Sequence, residues 1–303
     1  MKYSVKFWAW SLALLTGGLA ALLLLWTAPA QAQRVEIPNR SQSVNIQTFL
    51  ADLAEAQIVY LGETHDSPAD HAAQLEIIRS LHQQNLQLAI GMEMFQQQFQ
   101  SVIDRYLAGE ITEEELREQT EFDSRWGFDW EFYAPILRYA RDRQIPVIAL
   151  NVPTEITRQV AQGGLESLSE SDRVQIPPAS EIRTDNLQYR QMVQEIYDQF
   201  HQGHGVSDGF ENFFLAQVLW DETMATNVAN FAQSHPNYQV VVLAGQGHLV
   251  FGYGIPDRVQ RRLGTVEQRS ILLNSSPEAQ QEPNIADYFW FSESDIESPQ
   301  PPL

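Results

Sequence analysis

A glutamate and a histidine two positions apart, Glu63 and His65 in "IVYLGETHDSPADH" (58–71), follow an apolar run that a turn would need only Gly62 to close. The ending recurs in "YQVVVLAGQGH", where His248 follows Gly245 at the spacing that separates His65 from Gly62. A third apolar run, "QLAIGMEMF", carries Glu93, and a fourth, "IPVIAL", is followed by Asn151. Two imidazoles and two carboxylates suit either of two chemistries: ligation of a divalent metal or acid–base exchange. In a metal-dependent hydrolase, His65 and His248 would be ligands, Glu63 or Glu93 the third ligand or general base, and a bound water the nucleophile. Each residue alone reads more simply as a hydrogen-bonded strand end or helix cap. Their arrival together favours function.

The elements that must position them are legible as four buried strands, "QIVYL" (57–61), "QLAIGMEMF" (87–95), "IPVIAL" (145–150) and "YQVVVLAG" (238–245), separated by helical patterns. The fold class expected is α/β, a mostly parallel sheet with flanking helices and a helical insertion over 96–140. In such sheets catalytic groups collect at the carboxyl ends of the strands, where Glu63, His65, Glu93, Asn151 and His248 all fall. Ser67 before Pro68 marks one helix start, Thr112 with Glu115 a capping box, and a further helix is expected from about Asp208 to Ala232. "DYFWF" (287–291) reads as an edge strand. The paired Gly-x-x-His strand ends, each followed by a proline and a helical pattern, read as a duplicated strand-turn-helix unit.

Asp221 stands on an apolar helical stripe with Phe210, Phe214 and Val228, where a carboxylate is costly unless paired. An arginine such as Arg125 or Arg183 is one expected partner, and a site role is the other. Trp220 and Glu222 beside it read as packing and surface residues. His71 and His82 share a stripe with Leu75 and Ile78 and read as satisfied, partly buried rings. His201 and His204 fall in a glycine-containing loop, and His235 in a turn. Trp126, Phe128, Trp130, Phe132 and Tyr133 form a dense aromatic group that either packs on the core or walls a large planar ligand, with Arg125 available for a carboxylate.

Lys2 and Lys6 precede an apolar run, Phe7 to Trp26, and then "TAPAQAQ", so residues 1–32 are expected to be a secretory signal or, if uncleaved, an anchor. The expected domain is 33–292, with a disordered acidic tail over 293–303. Net charge of −20 argues against nucleic acid as a partner, and the absence of cysteine rules out disulfides and a lipidated cysteine. There is no Cys-x-x-Cys-His, Gly-x-Gly-x-x-Gly or P-loop.

"LGETHD" (61–66), "GMEMF" (91–95), "FDWEFYAPIL" (128–137), "IPVIALNVP" (145–153), "AQVLWDETMA" (216–225) and "LAGQGH" (243–248) resemble, in order, the ChaN-like haem-binding uptake proteins of the Tiki superfamily. The resemblance implies a single α/β domain, export to the periplasm or an equivalent lumen, and haem binding linked to iron acquisition. It also implies haem and a membrane-associated uptake machinery as partners, and dimerisation around the ligand would suit a flat apolar molecule. Haem would seat in the strand-end cleft or on an aromatic face near it, among His65, His248, Arg125, Trp126, Tyr133 and Asp221. The axial ligand stays open among His, Tyr and Met. The same Gly-x-x-His and Glu positions, His65, His248, Glu63 and Glu93, are shared with relatives that resemble metal-dependent hydrolases, so a divalent metal is the alternative cofactor.

Overall fold

Alternation of buried side chains along each strand sorts the core into two layers, one on either face of a central sheet. The computed structural model describes residues 33–38, 42–201 and 209–292. Its strands are β1 (Arg34–Ile37), β2 (Gln42–Val44), β3 (Ile58–Glu63), β4 (Leu88–Gln96), β5 (Val147–Asn151), β6 (Gln239–Gly245), β7 (Gln268–Leu273) and β8 (Tyr288–Phe291). The helices, in chain order, are α1 (Ile46–Glu55), α2 (Pro68–Gln84), α3 (Gln100–Leu107), α4 (Glu113–Gln119), α5 (Phe122–Arg125) and α6 (Trp130–Arg143). They continue as α7 (Thr154–Gly163), α8 (Glu170–Arg173), α9 (Leu187–His201), α10 (Phe210–Ser234) and α11 (Ile255–Leu263).

The sheet order is β2-β1-β8-β7-β3-β6-β4-β5. From β8 to β5 every pairing is parallel, and β1 joins β8 and β2 antiparallel. On one face Val59, Leu61, Ile90, Met92, Val241 and Leu243 pack under α1, α2, α3 and α6. On the other, Ile58, Tyr60, Ala89, Val240 and Val242 meet α10 and α11. A third cluster joins α7, α9 and the first half of α10 through Val160, Tyr189, Phe214 and Val218.

All four expected strands are present, each within two residues of its expected bounds, and Thr112 and Glu115 form the reciprocal capping box. The structure corrects the reading of 287–291. β8 is a strand, but it lies between β7 and β1 rather than at an edge, and the edges are β2 and β5. The helical stretch 96–140 belongs to an enlarged β4-to-β5 crossover, much of which packs on a face of the sheet. β1, β2 and β7 had no counterpart in the sequence reading. Residues 1–32, His204 and 293–303, on which the leader, one loop histidine and the tail were placed, lie outside the described residues.

Candidate functional site

β3 and β6 are hydrogen-bonded neighbours, with Glu63 opposite Gly245, so the two Gly-x-x-His turns leave the sheet side by side. Strand parity then divides the acids. Glu63 continues the Val59–Leu61 face toward α2 and α6. Glu93 continues the Ala89 face, on the side of α10.

Glu63 is buried, and its carboxylate is fully engaged. Oε1 accepts a hydrogen bond from the Tyr133 hydroxyl (2.7 Å) and faces His65 Nδ1 (2.9 Å). Oε2 accepts from Gln74 Nε2 (2.6 Å), with His71 Nδ1 at 3.7 Å. The turn is fixed by Asp70, which accepts from the Thr64 N–H (2.7 Å), Ser67 Oγ (2.8 Å) and Asn274 Nδ2 (2.7 Å). Burial pushes the Asp70 carboxyl up to about 6 against those bonds. His71 Nε2 meets the His65 carbonyl at 3.0 Å, so His71 braces this turn from α2. The His65 ring lies directly on Gly245: a Cβ there would come within 2.8 Å of Cε1 and 2.9 Å of Nε2. Only glycine permits that approach.

The second histidine draws its partners from farther away. His248 Nδ1 pairs with Asp221 Oδ1 of α10 (2.6 Å), and the other Asp221 oxygen accepts from the Tyr189 hydroxyl of α9. His248 Nε2 lies 3.3 Å from Glu93 Oε1, while Glu93 Oε2 accepts from the Gly245 N–H (2.8 Å). The β4–β5 register shifts between Met92 and Gln96, and there the Glu93 carbonyl accepts from Asn151 Nδ2 (2.9 Å). Such an irregularity re-aims a side chain beside a site. Asn151 Oδ1 in turn accepts from Trp220 Nε1.

Burial disfavours the charged form of both rings, yet acids overcome it. Glu93 and Asp221 raise the pKa of His248 well above its ordinary value, and Glu63 and Glu93 raise that of His65. Burial likewise pushes Glu93 up, but His248 and His65 outweigh it and hold the carboxyl below its usual range. Both rings open onto one cavity of about 330 Å³, whose lining includes Glu93, Trp126, Phe128, Asn151 and Trp220. Trp126 and Phe128 stand against the His65 ring at 4.8 and 5.0 Å between centroids.

Glu63, His65, Glu93, His248, Asp221, Tyr133 and Trp126 therefore converge. Several readings change. Asp221 pairs with His248 and Tyr189, not with Arg125 or Arg183. Arg125 lines the cavity but is held by Glu121, Glu155 and Gln96, so it is not a free cation. Glu222 is wholly buried among Arg258, Arg261 and Arg262 rather than on the surface. Trp130 is core, and Phe132 stacks on His71 rather than on the cavity. His82 is satisfied by Tyr139, and His235 is exposed. Among the described residues, no group of three or more His, Cys, Asp or Glu side chains is arranged to hold a metal ion. The carboxylates expected as ligands bond to histidines, a tyrosine, a glutamine and a backbone N–H instead. Gln74 and Tyr189 were missed, since nothing in a helix's own sequence marks which polar residue will face a distant acid.

The solved structure of ChaN of Campylobacter jejuni, with cofacial haem binding, matches with a TM-score of 0.67 at 18% identity, covering 86% of this chain and 96% of that one. Protein RETICULATA-RELATED 5, chloroplastic, of Arabidopsis thaliana is 30% identical over 268 residues, 79% of this chain and 34% of that protein. This chain thus spans about a third of the length of that curated relative. The family model described as haem-binding uptake, Tiki superfamily, ChaN matches residues 49–259. The chain belongs to that ChaN family of haem-binding uptake proteins.

Proposed function

We propose that the chain binds haem at the strand-end cavity and serves haem or iron uptake as an exported protein, with residues 1–32 directing export. The observation that carries the site assignment is the state of His65. Its Nδ1 is held by a buried carboxylate, Glu63, while no protein group bonds Nε2 among the described residues. A carboxylate-held imidazole with its second nitrogen free is a suitable iron donor. His248 is less suited, because acids face both of its nitrogens. Trp126, Phe128 and Trp220 supply flat apolar walls for a macrocycle. Bound haem would supply the iron centre. The chain's own residues orient His65, keep its turn rigid and exclude water with aromatic rings.

A second reading rests on a separate observation: two acid-oriented imidazoles, both with raised pKa, face one cavity beside Glu93. That set suits proton transfer in hydrolysis. Titration of the full chain with haemin separates the two. Haem binding predicts a saturable shift of the absorption band that His65→Ala weakens at least tenfold. A chain that shifts no band yet cleaves esters with loss of activity in His248→Ala overturns haem binding in favour of hydrolysis.

A further inference from the structure

At the opposite end of the strands, where α2 leads into β4 and α6 into β5, lies a larger cavity of about 540 Å³. It is lined by Arg79, His82, Leu86, Tyr139, Asp142 and Arg143, among others. Arginines in this acidic chain are otherwise neutralised: of those described, only Arg79, Arg143 and Arg158 have no ion pair with a described carboxylate. Two of those three meet here, on one ring. The guanidinium carbons of Arg79 and Arg143 lie 5.3 and 5.8 Å from the centroid of Tyr139. Tyr139 is itself anchored, with its hydroxyl 3.1 Å from His82 Nδ1. The single carboxylate on the rim, Asp142, faces Arg141 at 3.9 Å.

A cation near a helix C-terminus is favoured by the backbone dipole, which accounts for His82 and Arg143 in the last turns of α2 and α6. It does not account for Arg79, nor for two exposed guanidiniums sharing one ring without an acid. Like charges held together, in a chain of net charge −20, are relieved by an anion from outside. Burial first, and then the charge of Arg143, keep the His82 pKa below its ordinary value. Leu86, 79% exposed on the same rim, offers an apolar contact beside the charges.

We propose that this cavity binds a small organic molecule carrying an oxyanion, phosphate or carboxylate, whose apolar body rests against Tyr139 and Leu86. Planar guanidinium forks match either anion in paired hydrogen bonds. The site is independent of the strand-end cavity and of haem.

Calorimetric titration of the full chain with phenyl phosphate and, separately, with benzoate tests it. Saturable binding of one or both is expected, and which probe binds assigns the anion class. Arg79→Gln and Arg143→Gln, both substitutions of exposed residues, should each weaken binding at least tenfold, while His65→Ala leaves it unchanged. No binding of either probe, or binding that survives both arginine substitutions, overturns the proposal.

Discussion

The two Gly-x-x-His turns are alike in sequence and differ in how their histidines acquire acids. His65 takes Glu63 from its own strand, two residues back, and its side chain remains 27% exposed. His248 takes Asp221 from α10 and Glu93 from β4, and is 13% exposed. In both cases a tyrosine hydroxyl locks the acid, Tyr133 on Glu63 and Tyr189 on Asp221. A tyrosine–acid–imidazole chain has thus been built twice, its acid–imidazole pair once from local sequence and once from tertiary packing. The open copy has a free nitrogen and aromatic neighbours. The closed copy is clamped between two acids, which suits it to hold charge rather than to accept a ligand.

That contrast can be broken most forcefully at Asp221. Asp221→Ala strands His248 beside Glu93 and leaves the Tyr189 hydroxyl unpaired in the core. Breaking a buried ion pair of this kind costs about 3–5 kcal/mol, to be read from urea unfolding. A loss below about 1 kcal/mol would show that the closed copy is no tighter than a surface pair.

Imidazole titration by NMR sharpens the comparison. His248 should titrate above His65, and both above a free histidine, whose value is about 6.5. Glu63→Gln should lower the His65 value with little effect on His248, and Asp221→Asn should do the reverse. Because both folded-state values are raised, their stabilisation is full below about pH 6.5 and is lost as pH rises through each folded value. Stability should therefore decline first as His65 deprotonates and again at higher pH as His248 does.

The smallest effects belong to the tyrosines. Tyr133→Phe and Tyr189→Phe each delete one hydroxyl donated to a buried carboxylate, and each should cost about 1.5–3 kcal/mol in thermal or urea unfolding. Comparable losses would confirm that the two locks are equivalent, and a much larger loss at Tyr189 would make the closed copy dependent on α9.

Much of this is legible in the sequence. The four central strands are short, apolar and bounded by turn residues, and their carboxyl ends carry the site. What escaped is instructive. β7, "QRSILL", is polar in its first half because that half is only partly buried, so it lacks the continuous apolar run of its neighbours. β1 and β2 are too short to show a period. Asp221 was conspicuous as a carboxylate on an apolar stripe, but its partner lies 27 residues away on another element, and helical spacing cannot name it. Glu222 looked solvated because its neutralising arginines sit on α11, remote in sequence. His71 reads as a satisfied, partly buried ring near a helix start, from which it could reach the strand ends, and it does meet both the His65 carbonyl and Glu63.

The order of strands has a consequence for how the molecule comes into being. β3 is among the first strands in the chain, but both of its neighbours, β6 and β7, come from the last quarter, and β1 waits for β8. About two hundred residues separate β3 from the strands that flank it, so the centre of the sheet cannot zip together early and acquisition of the native state should be slow. A nascent or threaded chain would stay open, with the site absent, until β6 and its turn arrive.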